Sequence, residues 1–114
     1  MAGFSDVLYG TMEEVIRDVD MQVRKGKHAL TYKEEKKITS SDMTVIMRIY
    51  EKFNVILRNT LSIIFLFVDK DNGKIEIFVF SSGDKYGIMQ TDYGTGNKMI
   101  HTCQKKLKLL KMDN

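Results

Sequence analysis

Proline is absent from the 114 residues, and cysteine occurs once, as Cys103. Without proline there are no polyproline linkers and no proline-bounded loops. A single thiol excludes an intramolecular disulfide framework and a thiolate metal cluster, and it fits a reducing cytoplasm. Histidine is nearly as scarce. His28 and His101 have no ligand cluster beside them, so no metal site is expected. The longest apolar run, Leu61 to Val68, falls far short of the ~20 residues a membrane-spanning helix needs. The first residues, Met-Ala-Gly-Phe-Ser-Asp, carry neither a basic nor an apolar signal region, so no secretion signal is expected. Neither sign of charge dominates: 18 Lys and Arg against 15 Asp and Glu leave +3, which permits an acidic partner without demanding one.

What is present is globular. Charged residues at 29% and hydrophobic ones at 43% argue against global disorder. A chain of this length forms one domain, 1–114, with a core that needs no staples.

The chain is organised around Leu57 to Ser81, where two β-branched and aromatic runs flank Asp-Lys-Asp-Asn-Gly-Lys. Asn72-Gly73 between such runs predicts a hairpin, because a tight turn needs positive φ. Side chains alternate across a strand. Leu61, Ile63, Phe65 and Phe67 therefore share one face, and Ile64, Leu66 and Val68 the other. On the return strand Ile75, Ile77 and Val79 oppose Phe78 and Phe80. Both faces of the ribbon are apolar, so it must be covered twice.

Before the ribbon, Thr11 and Glu14 form a capping box for a helix predicted over 11–25, with Gly26 as its stop. Met12, Val15, Ile16, Val19 and Val23 make its apolar stripe, and Asp18, Asp20, Gln22 and Arg24 its other side. Phe4 to Tyr9 reads as a short strand and Lys27 to Thr39 as a strand with a solvated Glu34–Lys37 end. Met43, Val45, Met47 and Ile49 alternate with Asp42, Thr44, Arg48 and Lys52, the pattern of a half-buried strand. Lys85 to Gln90 reads as a short last strand. A final helix is predicted over about 95–111, with Met99, Ile100, Cys103, Leu107 and Leu110 inward and its lysines, His101 and Thr102 in water. The fold class is α+β: one antiparallel sheet of about five strands, with the N-terminal and C-terminal helices packed on one face.

No catalytic constellation emerges. Asp69 to Glu76 lacks the glycine and the bidentate glutamate of a calcium loop, since Lys74 and Phe80 stand at those positions. Cys103 lies on an apolar stripe, the place of a structural thiol. No cofactor is implied. Gly94, Thr95, Gly96, Asn97 and Lys98 lead into the last helix and are candidates for holding an anion, set against a plain helix cap. The lysines of that helix could track phosphates, but no aromatic is interleaved for bases to stack on. Nucleic acid is therefore a minor alternative.

The second apolar face of the sheet is the main candidate surface. Ile46, Tyr50, Ile64 and Leu66 are assigned to it, together with either Phe78 and Phe80 or Ile77 and Val79, depending on register. Its cover is a second copy of the chain, a segment of the same chain, or an apolar ligand. The first of these is the expectation carried forward: a cytoplasmic, non-enzymatic domain that homodimerises.

Arg48-Ile49-Tyr50-Glu51-Lys52-Phe53, then Ser82-Gly83, then Thr91-Asp92-Tyr93-Gly94 before the last helix, form a pattern that resembles a family of small bacterial domains of unknown function. Gly10 before the first helix fits it, and Asp92 is an extra residue relative to its Thr-aromatic-Gly motif. The resemblance implies no activity and no catalytic residues. By analogy of topology it implies a helix-grip-like arrangement, and with it a ligand cavity.

Overall fold

A computed structural model describes residues 3–26, 28–55, 58–82 and 95–112. In chain order they form β1 (Gly3–Tyr9), α1 (Met12–Val23), β2 (Thr31–Thr39), β3 (Thr44–Asn54), β4 (Asn59–Asp69), β5 (Lys74–Ser82) and α2 (Thr95–Met112). The predicted strand 85–90 lies outside the described residues. The strands make one antiparallel sheet in the order β1-β5-β4-β3-β2. β2 to β5 run as a meander. β1 sits at the far edge, and α1 carries the chain from that edge to the opposite one.

α1 begins as its sequence requires. The Thr11 hydroxyl accepts from the Glu14 N–H at 3.1 Å, and Glu14 Oε1 accepts from the Thr11 N–H at 3.1 Å. These bonds hold the Glu14 carboxyl below its ordinary pKa, the bond from the Thr11 backbone first. The helix stops at Val23 with Arg24 as its C-cap, and Gly26, at φ +84°, turns the chain away. Val15, Val19 and Val23 are buried, with Met12 and Ile16 packed beside them.

The β4–β5 hairpin forms, closed by a four-residue loop between Asp69 and Lys74. Positive φ falls on Asp71 and Gly73, not on Asn72. The Asp71 N–H donates to Asp69 Oδ1 at 2.8 Å, a local bond that steadies the loop. The register places Ile64 opposite Phe80 and Leu66 opposite Phe78. Leu61, Ile63, Phe65 and Phe67 on β4, and Ile75, Ile77 and Val79 on β5, are buried. They form one core with Leu8, with the valines of α1, and with Met99, Ile100, Cys103 and Leu107 of α2. Both helices thus cover the same face of the sheet. Leu109 projects from α2 half-exposed.

On β3 the face assignment is reversed. Ile46 and Tyr50 point to the helices with Arg48 between them, opposite Phe67, Ile63 and Phe65. Val45, Met47 and Ile49 point the other way. The more apolar set therefore faces outward, and the polar set is accepted inside because α1 and β2 supply its partners. β2 is a charged edge strand, exposed along nearly its whole length, as edges that must not pair further commonly are.

Candidate functional site

Three features carry chemistry: the outer sheet face, a buried polar cluster beneath α1, and a cleft beside α2.

The outer face is assembled by register. Ile49, Ile64 and Phe80 form one row across β3, β4 and β5; Met47, Leu66 and Phe78 form the next; Val45 and Val68 extend it. Four of the six residues assigned to this surface from sequence, Ile64, Leu66, Phe78 and Phe80, are brought together here. Ile46 and Tyr50 are not: they belong to the helix-covered face. Val45, Met47 and Ile49 take their place, one residue out of step along the same strand. Phe78 retains 38% of its surface, although it lies inside the apolar field. Charged residues frame the field and already pair among themselves: Lys36 with Glu34 at 3.3 Å, Lys70 with Glu76 at 3.3 Å, and Lys33 with Glu51 at 3.7 Å.

The polar cluster holds α1 to the sheet. The Tyr50 hydroxyl donates to Asp20 Oδ1 at 2.7 Å. Arg48 Nη1 donates to the same oxygen at 3.2 Å and lies 3.1 Å from the Tyr50 hydroxyl. Arg24 pairs with Asp20 Oδ2 at 3.5 Å. A bulge at Lys33 shifts the pairing of β2 between Tyr32 and Glu34, so that Tyr32 and Glu35 both face inward. The Arg48 guanidinium then lies 4.4 Å above the Tyr32 ring, with its Nε 3.0 Å from Glu35 Oε1. That Nε–H is buried and not aimed at an acceptor, so the contact is ionic and not a hydrogen bond. In the sequence Asp20 falls on the polar side of its helix and Glu35 within a run of charges. The signal for this cluster was Arg48 flanked by two apolar residues of its own face.

The cluster is structural. Tyr50 is fully buried, and burial raises its phenol well above the ordinary tyrosine value, the bond to Asp20 adding and Arg48 opposing. Burial pushes the Cys103 thiol up to about 12, against the charge of Lys106. Both groups keep their protons in the folded chain at a pH where the unfolded chain has released them. Stability is therefore fully present below the unfolded values and lost as pH rises past them. Urea unfolding should be flat through pH 8. It should weaken above about pH 9, by up to about 1.4 kcal/mol per pH unit for each group. Lys106, with a lowered pKa, opposes this from a more exposed position.

The cleft lies between the N-terminal half of α2, the β3–β4 end of the sheet and the segment before β2, and measures about 770 Å³. Its polar lining is Lys52, Lys98, Lys105, His28, His101 and Thr102. Leu61, Met99, Phe53 and Val55 supply the apolar part. On α2, Lys98, His101, Thr102 and Lys105 follow i, i+3, i+4, i+7 spacing, which sets them on one stripe.

Of the residues proposed to hold an anion at the start of α2, Gly94 lies outside the described residues. The backbone of Thr95, Gly96 and Asn97 forms the first turn, and Lys98 opens onto the cleft. Lys105 lines the cleft with Lys98, whereas Lys111 Nζ donates to Asp6 at 2.8 Å and Lys106 Nζ to the Lys25 carbonyl at 3.1 Å. They do not form a single track for a phosphate backbone. Among the described residues no three His, Cys, Asp or Glu side chains gather as a metal requires. No helix among them is long and apolar enough to cross a membrane.

A family model described as "Family of unknown function (DUF6054)" matches residues 1–111. No curated protein and no solved structure matches the chain.

Proposed function

The chain belongs to DUF6054, a family of unknown function, and we propose that it is a single non-enzymatic interaction domain that homodimerises through the outer face of its sheet. The carrying observation is the field of Ile49, Ile64, Phe80, Met47, Leu66 and Phe78, aligned across three adjacent strands on the side away from both helices. The whole outer face, five strands about 4.8 Å apart and some seven residues deep, measures roughly 500 Å², with the apolar rows on its three middle strands. Two such faces bury about 1,000 Å², at the lower bound for a specific interface.

A second copy suits this face better than a charged partner does. The ion pairs on the rim are internally neutralised, so like faces approach without opposing charge. A two-fold axis then sets apolar rows against apolar rows. The cytoplasmic location that a buried lone thiol fits goes with this reading.

Sedimentation equilibrium across a micromolar range tests it. Wild-type protein should move from monomer to dimer. Phe78→Lys buries a cation in each protomer of the pair and should weaken the dimer at least 100-fold while leaving the circular dichroism unchanged. A wild-type chain that stays monomeric throughout contradicts the proposal.

A further inference from the structure

We infer that the cleft between α2 and the β3–β4 end of the sheet binds a single-chain anionic amphiphile, its acidic head held by Lys52, Lys98 and Lys105 and its apolar body laid against Leu61, Met99 and Phe53. The volume, about 770 Å³, lies within the range of small-molecule sites. Its lining is of two chemical kinds. α2 contributes Lys98, His101 and Lys105 with Met99 among them, and the sheet end contributes Lys52 beside Leu61 and Phe53. The described lining contains three lysines, two histidines and no carboxylate. That imbalance selects for an anion and against a neutral or cationic guest.

A second observation shows how cations crowd this end of the molecule. Lys106 sits one residue beyond Lys105 with its Nζ 3.1 Å from the Lys25 carbonyl. Burial lowers its pKa first, and the charges of Lys52 and Lys25 lower it further against the opposing effect of Cys103. A bound anionic head relieves that repulsion. A free phosphate would use only the lysines, and a hydrocarbon only Leu61, Met99 and Phe53; an amphiphile uses both.

This site lies at the β3–β4 end of the sheet and shares no residue with the proposed dimer face, so the two fail separately. Isothermal titration of the full chain with laurate, dodecyl phosphate, dodecyltrimethylammonium and inorganic phosphate tests it. Laurate or dodecyl phosphate should saturate at one per chain, and the tighter of the two identifies the head group. The ammonium analogue and inorganic phosphate should each bind at least tenfold more weakly. The triple variant Lys52→Gln, Lys98→Gln, Lys105→Gln should lose tenfold or more in affinity for the anionic amphiphile. Phe78→Lys should leave it within twofold. Equal binding of the cationic analogue, or a triple variant that binds like wild type, overturns the inference.

Discussion

Phe65→Ala should cost about 3–5 kcal/mol of stability, while Leu66→Ala, its immediate neighbour, should cost about 1 kcal/mol in the isolated protomer. The two residues are of similar apolar character and share one central strand. Phe65 is fully buried, 5.2 Å from the Tyr50 ring in an edge-on contact and 6.1 Å from Phe67 in a near-parallel one. Removing it leaves a cavity that the surrounding strands and helices close only in part. Leu66 faces outward and is only half-buried, so its truncation leaves a shallow dent that water fills. Urea unfolding of dilute protein, followed by circular dichroism, measures both. Equal losses would mean that the outer face is as enclosed as the inner one within a single chain. Under the proposed dimerisation the Leu66→Ala loss should grow with protein concentration, because the transferred surface is then larger.

Asp20→Ala should cost about 2–4 kcal/mol, and Tyr50→Phe only about 1 kcal/mol. The difference comes from what each leaves behind. Without the carboxylate, the Arg48 charge loses its main acceptor while only 14% exposed, and the Tyr50 hydroxyl loses its 2.7 Å acceptor. Without the hydroxyl, Asp20 keeps both Arg48 and Arg24. In the Asp20→Ala background Arg48 keeps only its Glu35 ion pair, so Arg48→Met should cost about 1–2 kcal/mol less there than in the wild-type chain. Additive single and double effects would show that the three side chains do not act as a unit.

The elements whose signals are local were legible in the sequence. Thr11 and Glu14 announce α1 because a capping box uses only adjacent backbone. The β4–β5 ribbon is legible because β-branched and aromatic runs on either side of Asp71–Gly73 favour strands. The sheet with two helices on one face follows from that order. The inward face of β3 was not legible. Apolar alternation compares two sets of side chains and selects the greasier one as buried, and on β3 that is Val45, Met47 and Ile49. The structure buries Ile46, Arg48 and Tyr50 because Asp20 and Glu35, 28 and 13 positions away in sequence, satisfy the arginine there. The bulge at Lys33 that brings Tyr32 and Glu35 to one side had no marker in a run of exposed charges. The cleft was hidden for a similar reason. Lys98, His101, Thr102 and Lys105 read as a solvated stripe until the end of the sheet is placed opposite them.

The outer face of the sheet meets either a second copy or water. Mixing isotope-labelled and unlabelled chains at millimolar concentration and recording intermolecular nuclear Overhauser effects addresses it residue by residue. A face-to-face dimer requires cross-peaks from the Met47 and Leu66 methyls of one protomer to the Phe78 and Phe80 rings of its partner. Cross-peaks confined within single chains, at the rotational diffusion of a 13.2 kDa protein, would contradict it.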